Sequence, residues 1–202
     1  WELKKHRAFL AIIISVFPPV FSFGIPLFWV LLNIDQIQKG LSIELLTLLF
    51  RTISLGIIAA LITMLFSLIL SLTSRQNNSP LLRITTNLAG IGYAIPGTVL
   101  ALSLISISSS KFNFIAICLL IWAYLVRFLT ISKGSIDSSL ERISPSLDEA
   151  ALGLGENWLG IIKRIYLPLL KGPIFVGSLL VFVDTIKELP ITFILRPFDF
   201  DT

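Results

Sequence analysis

The sequence has few charged residues for its length. Only 14% of its 202 residues are charged, whereas 55% are apolar, and the mean hydropathy is +0.91. A soluble domain carries about 25% charged residues, so this chain lacks the charge to cover a water-facing surface. The composition therefore excludes an ordinary cytosolic enzyme and predicts an integral membrane protein.

Cysteine and histidine are scarce as well. Cys118 is the one cysteine and His6 the one histidine. A single cysteine excludes a disulfide-stapled secreted module, and one residue of each kind cannot supply the ligands of a zinc or iron–sulfur site. The sequence also lacks a glycine-rich phosphate loop of the G-x-x-x-x-G-K type. We therefore expect this chain to bind no cofactor, and any ATP to be hydrolysed by another chain.

Long runs without charge locate the membrane spans. Residues 8–34, 52–74 and 84–110 contain no charged side chain, and each run exceeds the roughly 20 residues needed to cross the hydrocarbon core. A fourth span covers 112–132, and a fifth begins after Pro173. The sequence thus predicts an all-α polytopic helical bundle with five spans.

The lysines and arginines of the loops predict the orientation. With the N-terminus in the cytoplasm, ten of them lie on the inner side and four on the outer side, as the positive-inside rule requires. The net charge is +4, but the basic residues lie singly between apolar runs, so the charge does not indicate a nucleic-acid partner.

A cleaved signal peptide is an alternative for the first apolar run. However, a run of 27 residues is too long for a signal peptide, and no small-residue cleavage site follows it. Arg127 lies near the inner end of its span, where it can snorkel, so we assign it no function.

The segment 133–171 is the long polar loop on the predicted inner side. Within it, Ser146 and Glu149 form a capping box that predicts a short helix. Gly153 and Gly155 offer the left-handed turn that would end this helix.

A second helix of the loop follows the first. Asn157 can cap it, and Pro168 is expected to interrupt its hydrogen bonds. The plain alternative for the whole loop is an amphipathic connector at the membrane surface that meets no partner.

The third span contains a break in its hydrogen-bond pattern. Pro96 cannot donate to the carbonyl of Gly92, and irregular backbone at this depth is tolerated only where protein or a water-filled cavity meets it. We therefore expect Tyr93, Pro96 and Gly97 to line such a cavity and take them as candidate residues of a pathway through the membrane. A simple kink held by small-residue packing is the alternative.

The fifth span carries Asp184, Lys187 and Glu188 before Pro190. Charged side chains in a span are costly, so these should face one another, a cavity or water. We add them and Pro190, which should end the helix, to the predicted pathway. The alternative is that Lys187 and Glu188 already lie at the outer membrane interface.

The polar loop resembles a known family. Seven residues within twenty positions reproduce the cytoplasmic loop signature of ATP-binding-cassette importer permeases: Glu149, Ala150, Ala151, Gly155, Ile165, Leu167 and Pro168. The resemblance implies that this loop is the coupling segment, which docks in a groove of a cytoplasmic ATPase subunit. Ala150 and Ala151 would keep the helix thin, Glu149 would pair with a basic group, and Gly155 would re-aim the chain.

Two further segments narrow the resemblance. Residues 92–101 and 182–190, with 195–198 and 200–202, are similar to the second half of fused ferric-iron importer permeases. That implies a type-1 permease fold with about six spans per half. Residues 1–45 would be an N-terminal segment with the first span, and 46–202 the transmembrane domain, truncated before its last span. We therefore expect the chain to be a fragment of a longer protein.

The family implies the function and the partners. The chain would be a multi-pass permease of the bacterial inner membrane that imports ferric iron. Its partners would be an ATPase dimer in the cytoplasm, a periplasmic binding protein, membrane lipid, and a first permease half or second copy of the permease. We expect no stable metal site; Asp184 and Glu188 are candidates for transient contact with Fe³⁺, a hard cation that prefers oxygen ligands. Thiamine, phosphonate or sulfate is the alternative cargo. An intramembrane enzyme or a structural scaffold subunit is the more distant alternative.

Overall fold

The computed structural model describes residues 5–35, 43–76, 79–107 and 113–197. Within these residues the chain is helical and forms no strand. Some predictions lie outside the described residues: the end of the third span at 108–110, the first residue of the fourth span at 112, and the family-like residues 198 and 200–202. The loop lysines at positions 4, 39 and 111, which were counted for the orientation, lie outside them as well. The chain divides into two compact units between Thr47 and Leu48.

The first unit contains helix α1, Lys5–Leu32. Its 28 residues are about 42 Å long at 1.5 Å per residue, which is enough to cross a bilayer. Pro18, Pro19 and Pro26 lie inside the helix. Each removes a backbone donor, which transmembrane helices tolerate better than soluble ones do.

The second unit is a bundle of helices joined by short connections. In chain order these are α2 Ile43–Gln76, which begins in the first unit, α3 Pro80–Ala94, α4 Gly97–Ile107, α5 Asn113–Leu140, α6 Pro145–Gly153, α7 Trp158–Leu169, α8 Lys171–Lys187 and α9 Leu189–Leu195.

Three described helices are long and apolar enough to cross a membrane alone, namely α1, α2 and α5. The pair α3 and α4 is bent by 108°, and the pair α7 and α8 by 70°. If each bent pair is one span, the described residues contain five spans, the number predicted from the sequence. The third predicted span is therefore two helices joined at a sharp break, and the simple kink is wrong.

Helices α2 and α5 extend beyond the hydrocarbon. Their 34 and 28 residues are about 51 and 42 Å long, against a core of about 30 Å. The sequence analysis assigned residues from Lys133 onward to the polar loop, but α5 continues to Leu140. An ion pair between Lys133 and Asp137, one helical turn apart, lets this charged stretch remain helical.

The core of the second unit consists of two clusters. The first joins α2, α4, α5, α8 and α9, and its most buried members are Ala101, Leu120, Ala123, Tyr124, Val181 and Ile191. The second joins α2, α5, α6 and α7, and its most buried members are Ile136, Ile161, Tyr166 and Leu170. The first cluster supports the break between α3 and α4, and the second supports the polar loop.

Helix α3 lies very close to α5. A Cβ atom at Gly92 would collide with the backbone carbonyl oxygen of Val126. One turn away, the Thr130 hydroxyl donates to the Ala89 carbonyl at 2.8 Å. Small residues let two membrane helices approach closely, so Gly92 determines how near α3 lies to α5.

We predict that Gly92→Ala destabilises the permease. The new methyl group meets backbone, which cannot rotate away, so the expected cost is about 1–3 kcal/mol. Gly90→Ala is the matched control, because a Cβ at Gly90 in the same helix has nothing within 4 Å. That substitution should be neutral or stabilise by roughly 0.5–1 kcal/mol. Thermal unfolding of the detergent-solubilised permease measures both, and equal melting temperatures would contradict the close approach.

Candidate functional sites in the polar loop and at the broken helices

The N-cap of helix α6 lies two residues before the predicted N-cap, Ser146. Ser144 is the N-cap, and its hydroxyl accepts from the Ser146 amide at 3.3 Å. Pro145 occupies the first helical position, where its fixed φ and missing N–H are favourable. The prediction that Ser146 caps the helix is therefore wrong, because Pro145 starts the helix earlier. Asp148 lies in the first turn, where its charge suits the positive end of the helix dipole.

The end of α6 is a Schellman motif. The Gly155 amide donates to the Leu152 carbonyl at 3.0 Å, and the Glu156 amide donates to the Ala151 carbonyl at 3.0 Å. Gly155 has a φ of +85°, a backbone region that disfavours residues with a Cβ. The prediction of a left-handed turn is confirmed at Gly155, whereas Gly153 is the last residue of the helix.

Helix α7 begins as predicted, with the Asn157 side chain accepting from the Gly160 amide at 2.8 Å. It contains a π-helical turn at Ile162–Tyr166, immediately before Pro168. Pro168 does not end the helix at its own position. The helix continues to Leu169, and the 70° bend into α8 occurs at Leu170.

Arg75, in the last turn of α2, holds the connection between α5 and α6. Its guanidinium donates to the carbonyl of Leu140 at 2.5 Å and to that of Ile143 at 2.8 Å. It also contacts the Asp148 carboxylate at 3.2 Å and donates to the Tyr166 hydroxyl at 2.7 Å. Thus one side chain binds the end of α5, the start of α6 and the middle of α7.

The Tyr166 side chain adds further contacts to the polar group formed by Arg75 and Asp148. It is fully buried, its hydroxyl donates to the other Asp148 oxygen at 2.5 Å, and its ring meets Trp158 edge-on at 5.7 Å. Charge-assisted hydrogen bonds with several partners hold a segment more rigidly than a single surface pair does. The position of α6 is consequently fixed by polar contacts to Asp148 from two helices, α2 through Arg75 and α7 through Tyr166.

The predicted coupling residues divide between two environments. Glu149 and Ala150 are exposed, whereas Ala151 is 7% exposed and belongs to the second core cluster. The small size of Ala151 therefore serves internal packing, which differs from the expectation that both alanines thin the helix for a groove. Ile165 packs against the same cluster, while Leu167 and Pro168 are exposed.

The break between α3 and α4 leaves a carbonyl that α5 binds. Helix α3 ends at Ala94, and α4 begins at Gly97. Between them, the Ile95 carbonyl accepts from Arg127 Nη1 at 2.6 Å. Hydrocarbon offers no other donor to a carbonyl at a helix break, so Arg127 stabilises the 108° bend.

Arg127 is also paired with Glu188. Its Nε lies 3.2 Å from the Glu188 Oε2, and the side chains are 19% and 11% exposed. Glu188 lies between α8 and α9, so it occupies a second helix break. A Cβ at Gly97 would collide with the Glu188 Oε1, which places the carboxylate at the first residue of α4. The ion pair therefore connects two breaks in two different helix pairs.

The Glu188 backbone is held by a separate chain of hydrogen bonds. The Thr192 hydroxyl donates to the Glu188 carbonyl. The Tyr124 hydroxyl, on α5, lies 2.5 Å from the Thr192 hydroxyl. Tyr124 is fully buried in the first core cluster. Helix α5 thus binds both the side chain and the backbone of the α8–α9 break.

The other predicted pathway residues lie in different surroundings. Tyr93, Pro96 and Lys187 are exposed. Asp184 is half-buried, and among the described side chains it has no hydrogen-bond or ion-pair partner. Pro190 does not end a helix. Instead α8 ends at Lys187, and Pro190 lies in the first turn of α9.

Arg127 belongs to the site, although its sequence position predicts no function for it. A span that ends at Ser132 places Arg127 close to the membrane surface. Because α5 continues to Leu140, Arg127 lies thirteen residues before its end, or about 20 Å. The available signal was Glu188 itself, since a carboxylate buried in a membrane protein requires a cation or donor nearby.

The described side chains do not form a metal centre. No three His, Cys, Asp or Glu residues among them converge as metal ligation would require. Of the two carboxylates considered for cargo contact, Glu188 is neutralised by Arg127, and Asp184 is not.

Comparison with known proteins agrees with this architecture. Residues 68–195 match the family model for the binding-protein-dependent transport system inner membrane component. Over 189 residues the chain is 26% identical to the Fe(3+)-transport system permease protein FbpB 2 of Haemophilus influenzae, an alignment that covers 91% of this chain and 37% of that protein. The chain thus spans little more than a third of the length of the relative that it matches.

The family model covers well over half of the chain, and the described helices supply up to five apolar spans. The chain is therefore a multi-pass integral membrane protein that belongs to the family of binding-protein-dependent transport system inner membrane components.

Proposed function

We propose that this chain forms part of the translocation pathway of an ATP-driven importer and that α6 docks the ATPase. The observation that carries the proposal is the way α6 is presented. Its inner face is held by Arg75 through Asp148, while Glu149 and Ala150 on its outer face are exposed. A docking helix needs this combination of a rigid attachment and an open face.

The surface around Glu149 suits a protein partner. Large apolar side chains are exposed on and after α6: Leu147 at 44%, Leu152 at 55% and Leu154 at 86%. Exposed apolar patches rimmed by polar residues are typical of protein interaction sites. Glu149 would pair with a basic group of the ATPase, and the leucines would provide the buried area.

A movement of α6 would reach the membrane through α7 and α8. Gly155 re-aims the chain after α6, and the bend at Leu170 turns α7 into α8. Helix α8 packs between α2 and α5. A Cβ at Gly177 would come within 2.6 Å of the Met64 side chain on α2 and 3.2 Å of Ser135 on α5. Such tight packing transmits displacement, because close-packed cores do not deform continuously.

We propose ferric iron as the cargo. Support comes from the Haemophilus influenzae relative, whose name specifies Fe(3+) transport. A hard cation prefers oxygen ligands, and Asp184 is a half-buried carboxylate without a partner among the described side chains. A periplasmic binding protein would deliver the cargo. The first permease half, or a second copy of the permease, would complete the pathway.

We expect Glu149→Lys to uncouple transport. Charge reversal at the exposed centre of α6 should repel the basic group that Glu149 contacts and lower cargo uptake at least about tenfold, the change produced by 1.4 kcal/mol. The measurement is co-purification of the ATPase with the full-length permease, together with binding-protein-stimulated ATP hydrolysis.

Glu141→Lys is the matched control for this test. Glu141 is also exposed, and it lies after α5 and outside α6. This reversal should leave ATPase binding and hydrolysis close to wild type. If the two reversals had equal effects, or if Glu149→Lys had none, α6 would not be the docking helix, and a scaffold role would gain support.

The cargo is tested with the intact importer in vesicles. We expect ATP-dependent uptake of ⁵⁵Fe³⁺ in the presence of the binding protein, reduced by Asp184→Asn without loss of ATPase binding, because the variant lacks the anionic oxygen ligand. Uptake of sulfate, thiamine or a phosphonate in place of iron would identify the alternative cargo.

A further inference from the structure

The two helix breaks of the second unit meet at one ion pair. Arg127, on the unbroken helix α5, binds the Ile95 carbonyl at the α3–α4 break and the Glu188 carboxylate at the α8–α9 break. Glu188 in turn reaches Gly97, the first residue of α4. A single pair of side chains thus contacts three of the four helix ends at these breaks.

The charges match the helix ends that they contact. The C-terminal end of α3 is electronegative, and Arg127 lies on it. The N-terminal end of α4 is electropositive, and Glu188 lies on it. Along the break the charges alternate: the negative end of α3 is followed by the positive Arg127, then by the negative Glu188, and then by the positive end of α4. Each side chain therefore stabilises the break on one side and its partner on the other.

Glycine at position 97 lets the carboxylate lie directly against the α4 backbone. The carboxylate occupies the space that a Cβ at this position would take. A larger residue at position 97 would therefore push the Glu188 side chain away from the start of α4.

The pair is incompletely hydrogen-bonded in this arrangement. Among the described buried atoms, Glu188 Oε1 and Arg127 Nε have no hydrogen-bond partner, although the ion pair spans 3.2 Å. Buried polar atoms are nearly always hydrogen-bonded, so these two atoms are a donor and an acceptor that another arrangement of the helices could satisfy. A shift of α8 or α4 would change which oxygens the guanidinium and the helix end engage.

We propose that Arg127 is a positioning residue for transport, which ties α4 to α8 through Glu188 so that the two helices move as one. This inference rests on the proposed function, in which α8 follows the ATPase-docking segment. When α8 moves, Glu188 is displaced and carries Arg127 with it. Because Arg127 keeps its contact with the Ile95 carbonyl, the α3–α4 break opens or closes together with α8. Arg127 is suited to this role because its planar fork binds two acceptors at once, which a lysine ammonium cannot do with the same geometry.

The test measures movement at the break directly. A cysteine replaces Thr98, which is exposed in the first turn of α4, in a cysteine-free full-length permease assembled with its ATPase. Its labelling by a membrane-impermeant maleimide is compared without nucleotide and with ATP trapped by vanadate. We expect a clear difference in wild type that Glu188→Gln and Arg127→Gln abolish. Transport per ATP hydrolysed should fall about tenfold, within the range usual for coupling between sites.

Three controls separate this role from a purely structural one. Asp137→Asn breaks the other described ion pair of α5, which lies within that helix, and should preserve the labelling difference. Arg127→Lys keeps the charge and should fold, yet restore coupling only partly. The double exchange Arg127→Glu with Glu188→Arg restores the charge pair but places a carboxylate on the Ile95 carbonyl, so coupling should remain lost. Gel filtration of each variant establishes folding first, and if Glu188→Gln does not fold, Arg127→Lys provides the test.

The outcomes distinguish this inference from the proposed function. If wild type binds the ATPase but Thr98→Cys labels equally in both states, or if the glutamine variants keep the difference, Arg127 does not position α4. If wild type fails to bind the ATPase, the proposed function falls, whatever the labelling shows.

Discussion

Backbone carbonyls at the ends of broken helices need donors, and this constraint organises the second unit. Arg127 supplies the donor to Ile95 at the α3–α4 break, and Arg75 supplies donors to Leu140 and Ile143 where α5 leads into α6. Without Arg127 the α3–α4 break would leave an unpaired carbonyl, at a cost of several kcal/mol in hydrocarbon. At the polar end of α5, Arg75 instead fixes the direction in which the chain enters α6. The two arginines therefore permit the turns that give the bundle its shape.

The unbroken helices form the frame on which the broken ones are held. Helix α2 ends in Arg75, and α5 carries Arg127, Tyr124 and Thr130, each of which contacts a neighbouring helix. The bent pairs are fixed at these points and have few polar contacts elsewhere in the described residues. A bundle built in this way holds each broken helix at its break against an unbroken one.

Several elements could be read from local sequence because local chemistry decides them. Asn157 caps α7 and Gly155 ends α6, since an amide side chain and a glycine suit those backbone positions in any surroundings. The start of α6 was misplaced because Ser144-Pro145 competes with Ser146 as a start signal, and the proline prevails. The sequence predicts that the helix ends before Lys133, because a run of charged residues is typical of a loop. The helix α5 continues instead, because Lys133 and Asp137 form an ion pair one helical turn apart.

By itself the sequence determined that the chain is apolar and helical. It also determined where the spans lie and that the polar loop carries a short helix. Hydrophobicity, length and capping decide these features, and all three are properties of neighbouring residues. Only the tertiary structure decided that the third span is broken by 108°, that Ala151 faces the core, and that Arg127 meets Glu188. Those two residues are 61 positions apart in the chain. Their meeting depends on the packing of α8 against α5, which no local pattern encodes.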